Sequence, residues 1–106
     1  IPTAAGQALV ALDFRMADPR DVVLVGGDDP AATAAAKRAL GARFRPSALT
    51  VAAGAAASPA LAELVPLLAD RPARDGQVTL YVCHRNTCEA PVSGLDAVLE
   101  RLERLA

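Results

Sequence analysis

Apolar positions recur along the chain at two spacings, and their alternation predicts a leading helix followed by three strand–helix units. From Pro2 to about Met16 the pattern is helical, with Leu9, Leu12 and Met16 on one stripe and Val10 and Phe14 on another side. Within Ala4 to Met16 only Gln7, Asp13 and Arg15 carry polar side chains, and a helix apolar nearly all round is usually covered on more than one side. Asp18-Pro19 breaks this pattern. Asp21 to Gly27 follows, and its Val22-Val23-Leu24-Val25 run is continuous and mostly β-branched, as in a strand buried on both faces.

Asp29-Pro30 then supplies a helix cap and a proline at the first helical position. The helix is predicted to run to about Phe44, with Ala32, Ala36, Leu40 and Phe44 inward, and Pro46 ends it. Ala48 to Ala53 reads as a second strand. Ser58-Pro59 repeats the cap-and-proline device and opens a short helix through Leu61, Leu64 and Val65, which Pro66 must kink or restart. Arg71 to Gly76 reads as a turn and Gln77 to Cys83 as the third strand. Ser93-Gly94-Leu95-Asp96 fits a capping box for a last helix, along which Leu95, Val98, Leu99, Leu102 and Leu105 form the clearest amphipathic stripe.

The order is therefore helix, then βαβαβα. Such alternation predicts a three-layer α/β domain around a short three-stranded parallel sheet with right-handed crossovers. Helices on both faces favour the strand order 2-1-3, with the most apolar strand in the centre. Residues 1–17 read as a helix continuing from an upstream helical domain, and residues 18–106 as one small α/β domain.

The 106 residues suffice for a single core. Just over half are apolar, yet only one tyrosine and two phenylalanines are present, so the core is expected to be a thin packing of Leu, Val and Ala. The formal net charge is −1 and both signs are dispersed, which leaves no basic stripe for nucleic acid. Arginine supplies ten of the eleven basic residues, a bias that suits a GC-rich bacterial genome. The alanine-rich run from Val51 to Ala69 is broken by Gly54, Pro59 and Pro66 and carries Glu63, so it is not expected to span a membrane. The chain opens on Ile1 with no visible leader and reads as an excised piece, with a cytoplasmic setting as the expectation.

Candidate chemistry gathers at the predicted carboxyl ends of the strands, where open parallel sheets usually bind ligands. A parallel sheet would bring Asp28 and Asp29 to the same edge as His84 and the cysteines, as a small-ligand or nucleotide edge. Gly26-Gly27-Asp28-Asp29-Pro30 occupies the place of a phosphate loop but matches neither G-x-G-x-x-G nor the P-loop, and its two aspartates would repel phosphate. A tight turn and helix cap is the plainer reading. Cys83 and Cys88 are spaced C-x4-C, unlike the C-x-x-C of thioredoxin-type catalysis. They read as a structural disulfide, worth on the order of 2 kcal/mol by chain entropy, as two free thiols, or as a redox pair. Cys83, His84 and Cys88 are at most three zinc ligands, with Asp28 or a partner needed for a fourth, so no metal is expected. His84 is the only histidine and no serine sits in a nucleophile elbow, so no catalytic residues and no cofactor are assigned.

Three stretches, with the terminal helix, carry a family resemblance over a little more than half of the chain. They are ALDFRMADPRDVVLVGGDDPA (Ala11 to Ala31), Pro66-Leu67-Leu68, and DGQVTLYVCHRNTCEAPV (Asp75 to Val92), within which YVC-x4-C-x-x-PV is the most specific signature. The chain resembles the C-terminal end of the YyaL-type thioredoxin-domain-containing proteins, which include the spermatogenesis-associated thioredoxin-like protein of animals. The resemblance implies a parent with an N-terminal thioredoxin-like domain and an (α/α) barrel similar to six-hairpin glycosidases, closed by this small α/β segment. It implies that the chain is a non-catalytic accessory domain whose partners are the upstream domains. A homodimer through Leu9, Leu12 and Phe14 is the alternative use of the leading helix. The family's thioredoxin-like motif and sugar-pocket residues would lie upstream of Ile1, and only the Cys83 and Cys88 pair carries over. The resemblance also allows that pair to act as a redox module with the thioredoxin-like domain.

Overall fold

The computed structural model describes residues 2–54, 59–85 and 87–105. A 3-10 turn, Pro2–Ala5, leads into helix α1 (Gly6–Met16), strand β1 (Arg20–Val25), helix α2 (Pro30–Gly41) and strand β2 (Ala48–Ala53). Helix α3 (Pro59–Leu64) and a 3-10 turn at Pro66–Leu68 precede strands β3 (Thr79–His84), β4 (Thr87–Cys88) and β5 (Val92–Ser93), and helix α4 (Leu95–Arg104) follows. The restart expected at Pro66 is this 3-10 turn. The Ser58 cap lies outside the described residues.

The sheet runs β2-β1-β3-β4, with β5 also paired to β3. β1 is central, as its apolar run predicts, and pairs with β2 in parallel, Val23 opposite Val51. The three-stranded parallel sheet is corrected, however: β3 is antiparallel to β1, Val23 opposite Tyr81, and the sheet is a mixed one of five strands. The cause is one extra reversal of the chain. Arg71 lies beside Cys83, the Pro72 carbonyl accepts from the Tyr81 hydroxyl, and the Arg74 N–H donates to Thr79 Oγ1 at 2.9 Å. Residues 71–74 thus climb the face of β3 from its end to its start. Asp75 and Gly76, with φ of 55° and 68°, then form a two-residue turn closed by an Arg74–Gln77 bridge. Positive φ at both central positions is the geometry of a type I′ hairpin, for which Asp-Gly is among the favoured pairs. RPARDG is therefore not one turn but a rising segment and a hairpin.

Alternation along the strands divides the core between two faces. Val22, Leu24, Leu80 and Val82 pack against Ala36 and Leu40 of α2 and Val98 and Leu102 of α4. Val23, Val25, Tyr81 and Cys83 pack against Leu68, with Leu61 and Val65 at the margin. Burying a Val or Leu side chain contributes roughly 1.5–3 kcal/mol, so the two central strands hold most of the apolar stabilisation. Helix α2 stops at Gly41, and Phe44, expected inside, is 88% exposed. Arg45 accounts for that early stop: it donates to the Leu40 carbonyl at 2.8 Å and the Leu102 carbonyl at 3.2 Å, satisfying carbonyl groups near the ends of α2 and α4. The capping box at Ser93 is also corrected. Ser93 pairs with Thr79 in β5, Gly94 takes the cap position of α4, and no side chain caps that end.

Helix α1 buries none of its residues. Leu9, Val10, Leu12 and Met16 are each half or more exposed. The radius of gyration, 15.0 Å, exceeds the roughly 13 Å expected of a compact domain of about 100 residues, as a helix outside the main body requires.

Candidate functional site

The C-x4-C spacing acquires its meaning from a hairpin. His84 pairs with Thr87 and Cys83 with Cys88 in an antiparallel register. Arg85 has a φ of 48°, in the left-handed region that a tight hairpin loop uses. Spaced in this way, the two cysteines face each other directly across β3 and β4, and they are joined by a disulfide. The third strand, expected over Gln77 to Cys83, runs from Thr79 to His84 and is followed by a further short strand, Thr87–Cys88, that the sequence did not predict.

The two sulfurs differ in surroundings. Cys83 is 1% exposed and belongs to the core face with Tyr81 and Leu68, whereas Cys88, on the short edge strand, is exposed. The Arg71 guanidinium lies against both. Its Nη2 is 3.4 Å from Cys88 Sγ and 3.7 Å from Cys83 Sγ, while Nη1 donates to the Leu67 carbonyl at 2.6 Å and to the Ala69 carbonyl at 3.4 Å. The Arg71 Nε is buried without a hydrogen-bond partner. Arg71 is thus clamped by the turn after α3, with one edge of its cationic plane held on the disulfide. It was not among the residues singled out from sequence. It lies 12 positions before Cys83 and 17 before Cys88, and only the reversal at Asp75-Gly76 brings the two segments together.

The same hairpin is tied to the corner between α1 and β1. His84 Nε2 donates to Asp18 Oδ2 at 2.7 Å, and Arg85 donates to Asp18 Oδ1 from Nη2 at 3.0 Å and from Nε at 3.1 Å. The His84 hydrogen bond, with Arg85 adding to it, holds the Asp18 carboxyl below its ordinary value. A cleft of about 730 Å³ opens beside this cluster, on the α2–α4 side of the sheet. Asp18, Glu89, Arg20 and Arg104 all line it, so it presents no single charge to a ligand.

The antiparallel direction of β3 separates the residues expected to share a ligand edge. Asp28 and Asp29 follow the carboxyl end of β1, where β3 begins, and His84 lies where β3 ends. Asp29 Oδ1 accepts from the Ala31 N–H at 2.9 Å as the cap of α2, and the Asp28 N–H donates to the Gly76 carbonyl at 2.7 Å. Both aspartates thus serve the turn and cap, and neither lies near His84. Among the described residues, no group of three or more His, Cys, Asp or Glu side chains is arranged to hold a metal ion, and no helix is long and apolar enough to cross a membrane.

Comparison with family models, with curated proteins and with solved structures gives no match to this chain.

Proposed function

We propose that the chain is a non-catalytic accessory module that packs on a larger helical protein, with α1 as the docking element. The observation that carries this reading is α1 itself, which is apolar on two sides and buried on neither. Leaving Leu9, Val10, Leu12 and Met16 in water forfeits roughly 1.5–3 kcal/mol for each side chain that a partner could cover. Phe44 is exposed beside this helix, and a groove of about 570 Å³ between α1 and the Phe44–Ala48 segment is lined by Val10, Phe14 and Phe44, with Gln7, Asp13 and Arg45 among its polar residues. The resemblance to YyaL-type proteins supplies an occupant of the right chemistry, the helical barrel of the same polypeptide. The core of the α/β body is complete without α1, as expected of a domain that closes a larger chain.

The test has two parts. In the isolated chain, the folded state should enhance the fluorescence of a hydrophobic dye, and Leu9→Glu with Leu12→Glu should abolish this while moving stability by no more than about 0.5 kcal/mol. A photo-crosslinker at Leu12 in the parent protein should couple to a helical segment of the same polypeptide. Coupling to a second copy would support the homodimer instead. A double variant that unfolds the body would defeat both readings, because α1 would then belong to its core.

A further inference from the structure

The Cys83–Cys88 disulfide has an arrangement that a purely structural bond does not need. One cysteine lies on an exposed edge strand, the other is buried in the core, and a guanidinium held by two backbone carbonyls lies against both sulfurs. We propose that this pair is a thiol–disulfide exchange site in which an external thiolate attacks Cys88 and Cys83 leaves as a thiolate beside Arg71. This inference is independent of the docking role of α1.

Access decides which sulfur is attacked. Displacement at sulfur requires the nucleophile to approach along the line of the bond, and only Cys88, on the edge strand, is open to solvent. The incoming thiol loses its proton to water, its sulfur bonds to Cys88 Sγ, and the Cys83–Cys88 bond breaks with its electron pair on Cys83 Sγ. A second thiolate then attacks the mixed disulfide and releases Cys88 as a thiolate. Two electrons pass from the two external thiols to the pair, and the external thiols end as a disulfide.

Charge decides whether the leaving group is tolerable. A thiolate forming at a sulfur only 1% exposed would be opposed by desolvation, which raises a thiol pKa, and an adjacent guanidinium reverses that tendency. Arg71 Nη2 sits 3.7 Å from Cys83 Sγ before any bond breaks, so this stabilisation is already in place. Arg71 is a positioning and electrostatic residue here; the exchanging atoms are the two sulfurs. The external reductant is defined by its chemistry as a thiol, which a small molecule such as glutathione or a dithiol such as dithiothreitol supplies.

The experiment follows reduction of the oxidised chain by each of these two thiols, with acid quenching, alkylation and mass spectrometry. The expected intermediate with glutathione is a mixed disulfide on Cys88. Arg71→Met should slow exchange by about threefold with both reagents, the effect of about one unit in leaving-group thiol pKa at a Brønsted slope near 0.5, whereas Arg71→Lys should retain most of the rate. In a Cys88→Ser variant, thiolate absorbance should show Cys83 titrating below an ordinary cysteine, and Arg71→Met in that background should move it up. The proposal fails if the mixed disulfide forms on Cys83, if the bond exchanges only when the chain unfolds, or if Cys83 titrates at or above the ordinary value. The last measurement needs no Arg71 variant and stands even if Arg71→Met does not fold.

Discussion

Gly27 sits where the turn after β1 meets the segment leading into β3, and replacing it with alanine tests the topology of the sheet. A Cβ at this position would lie 2.5 Å from the Gln77 carbonyl carbon, 2.5 Å from the Gly76 oxygen and 2.6 Å from the Val78 nitrogen. All three are backbone atoms, so no side chain can swing aside. The segment they belong to is also held in place, by the Asp28 N–H on the Gly76 carbonyl at 2.7 Å and the Gly94 N–H on the Val78 carbonyl at 2.9 Å. Relief would need a shift of about 1 Å through a tightly bonded turn. Overpacking of this kind costs about 1–3 kcal/mol, and the immobility of the backbone places Gly27→Ala near 3 kcal/mol. For a chain of this size that lowers the unfolding midpoint by on the order of 10 °C, which differential scanning calorimetry or urea unfolding reads directly. Gly41→Ala provides the contrast: its Cβ meets nothing within 4 Å near the end of α2, and the substitution should stabilise by roughly 0.5–1 kcal/mol. In a parallel arrangement Gly27 would face Cys83 and His84, not residues 76–78, and this clash would not exist. Gly27→Ala within about 0.5 kcal/mol of the unmodified chain would therefore refute the placement of β3 described here.

Tyr81→Phe removes the hydroxyl that donates to the Pro72 carbonyl and should cost about 0.5–1.5 kcal/mol in urea unfolding, with loss of protection in residues 71–74 by hydrogen exchange. Asp18 has a lowered pKa in the folded state, so its contribution is present above the ordinary carboxylate value and is lost as pH falls through the folded one. The stability advantage of the unmodified chain over Asp18→Asn should accordingly shrink between about pH 5 and pH 3; parallel pH profiles would contradict the His84 and Arg85 contacts. Reducing Cys83–Cys88 should lower stability by on the order of 2 kcal/mol, the chain-entropy value for so short a loop. Unfolding with and without reductant measures it, and no change would show that the β3–β4 hairpin is held by its other contacts.

Much of the architecture is legible in short stretches. The Val22–Val25 run predicts a central strand buried on both faces, and each of these residues is at most 2% exposed. Asp29-Pro30 opens α2, with the aspartate side chain on the Ala31 N–H. Ala48–Ala53 has the predicted bounds, and the α4 stripe buries Val98, Leu102 and Leu105. These features depend on side-chain periodicity and on groups a few residues apart, so the local sequence suffices. The candidate site is legible to a lesser degree. The spacing names Cys83 and Cys88 as a pair without saying that they oppose each other across a hairpin, because their register is set only when β3 and β4 pair.

Strand direction is what the sequence by itself leaves open, because the hydrophobic pattern of β3 is the same whichever way it runs. Two residues, Asp75 and Gly76, reverse the chain, and that single turn places Asp28 and His84 at opposite ends of the sheet. It also returns residues 71–74 along β3, so that Arg71 meets two sulfurs far from it in sequence. Periodicity thus determines the central strands and the buried face of α4, while the exposure of Phe44 and of the α1 stripe shows that apolar spacing does not by itself fix burial. Which charged groups meet which sulfurs is decided only in the folded chain, because those contacts depend on the direction in which segments are laid together.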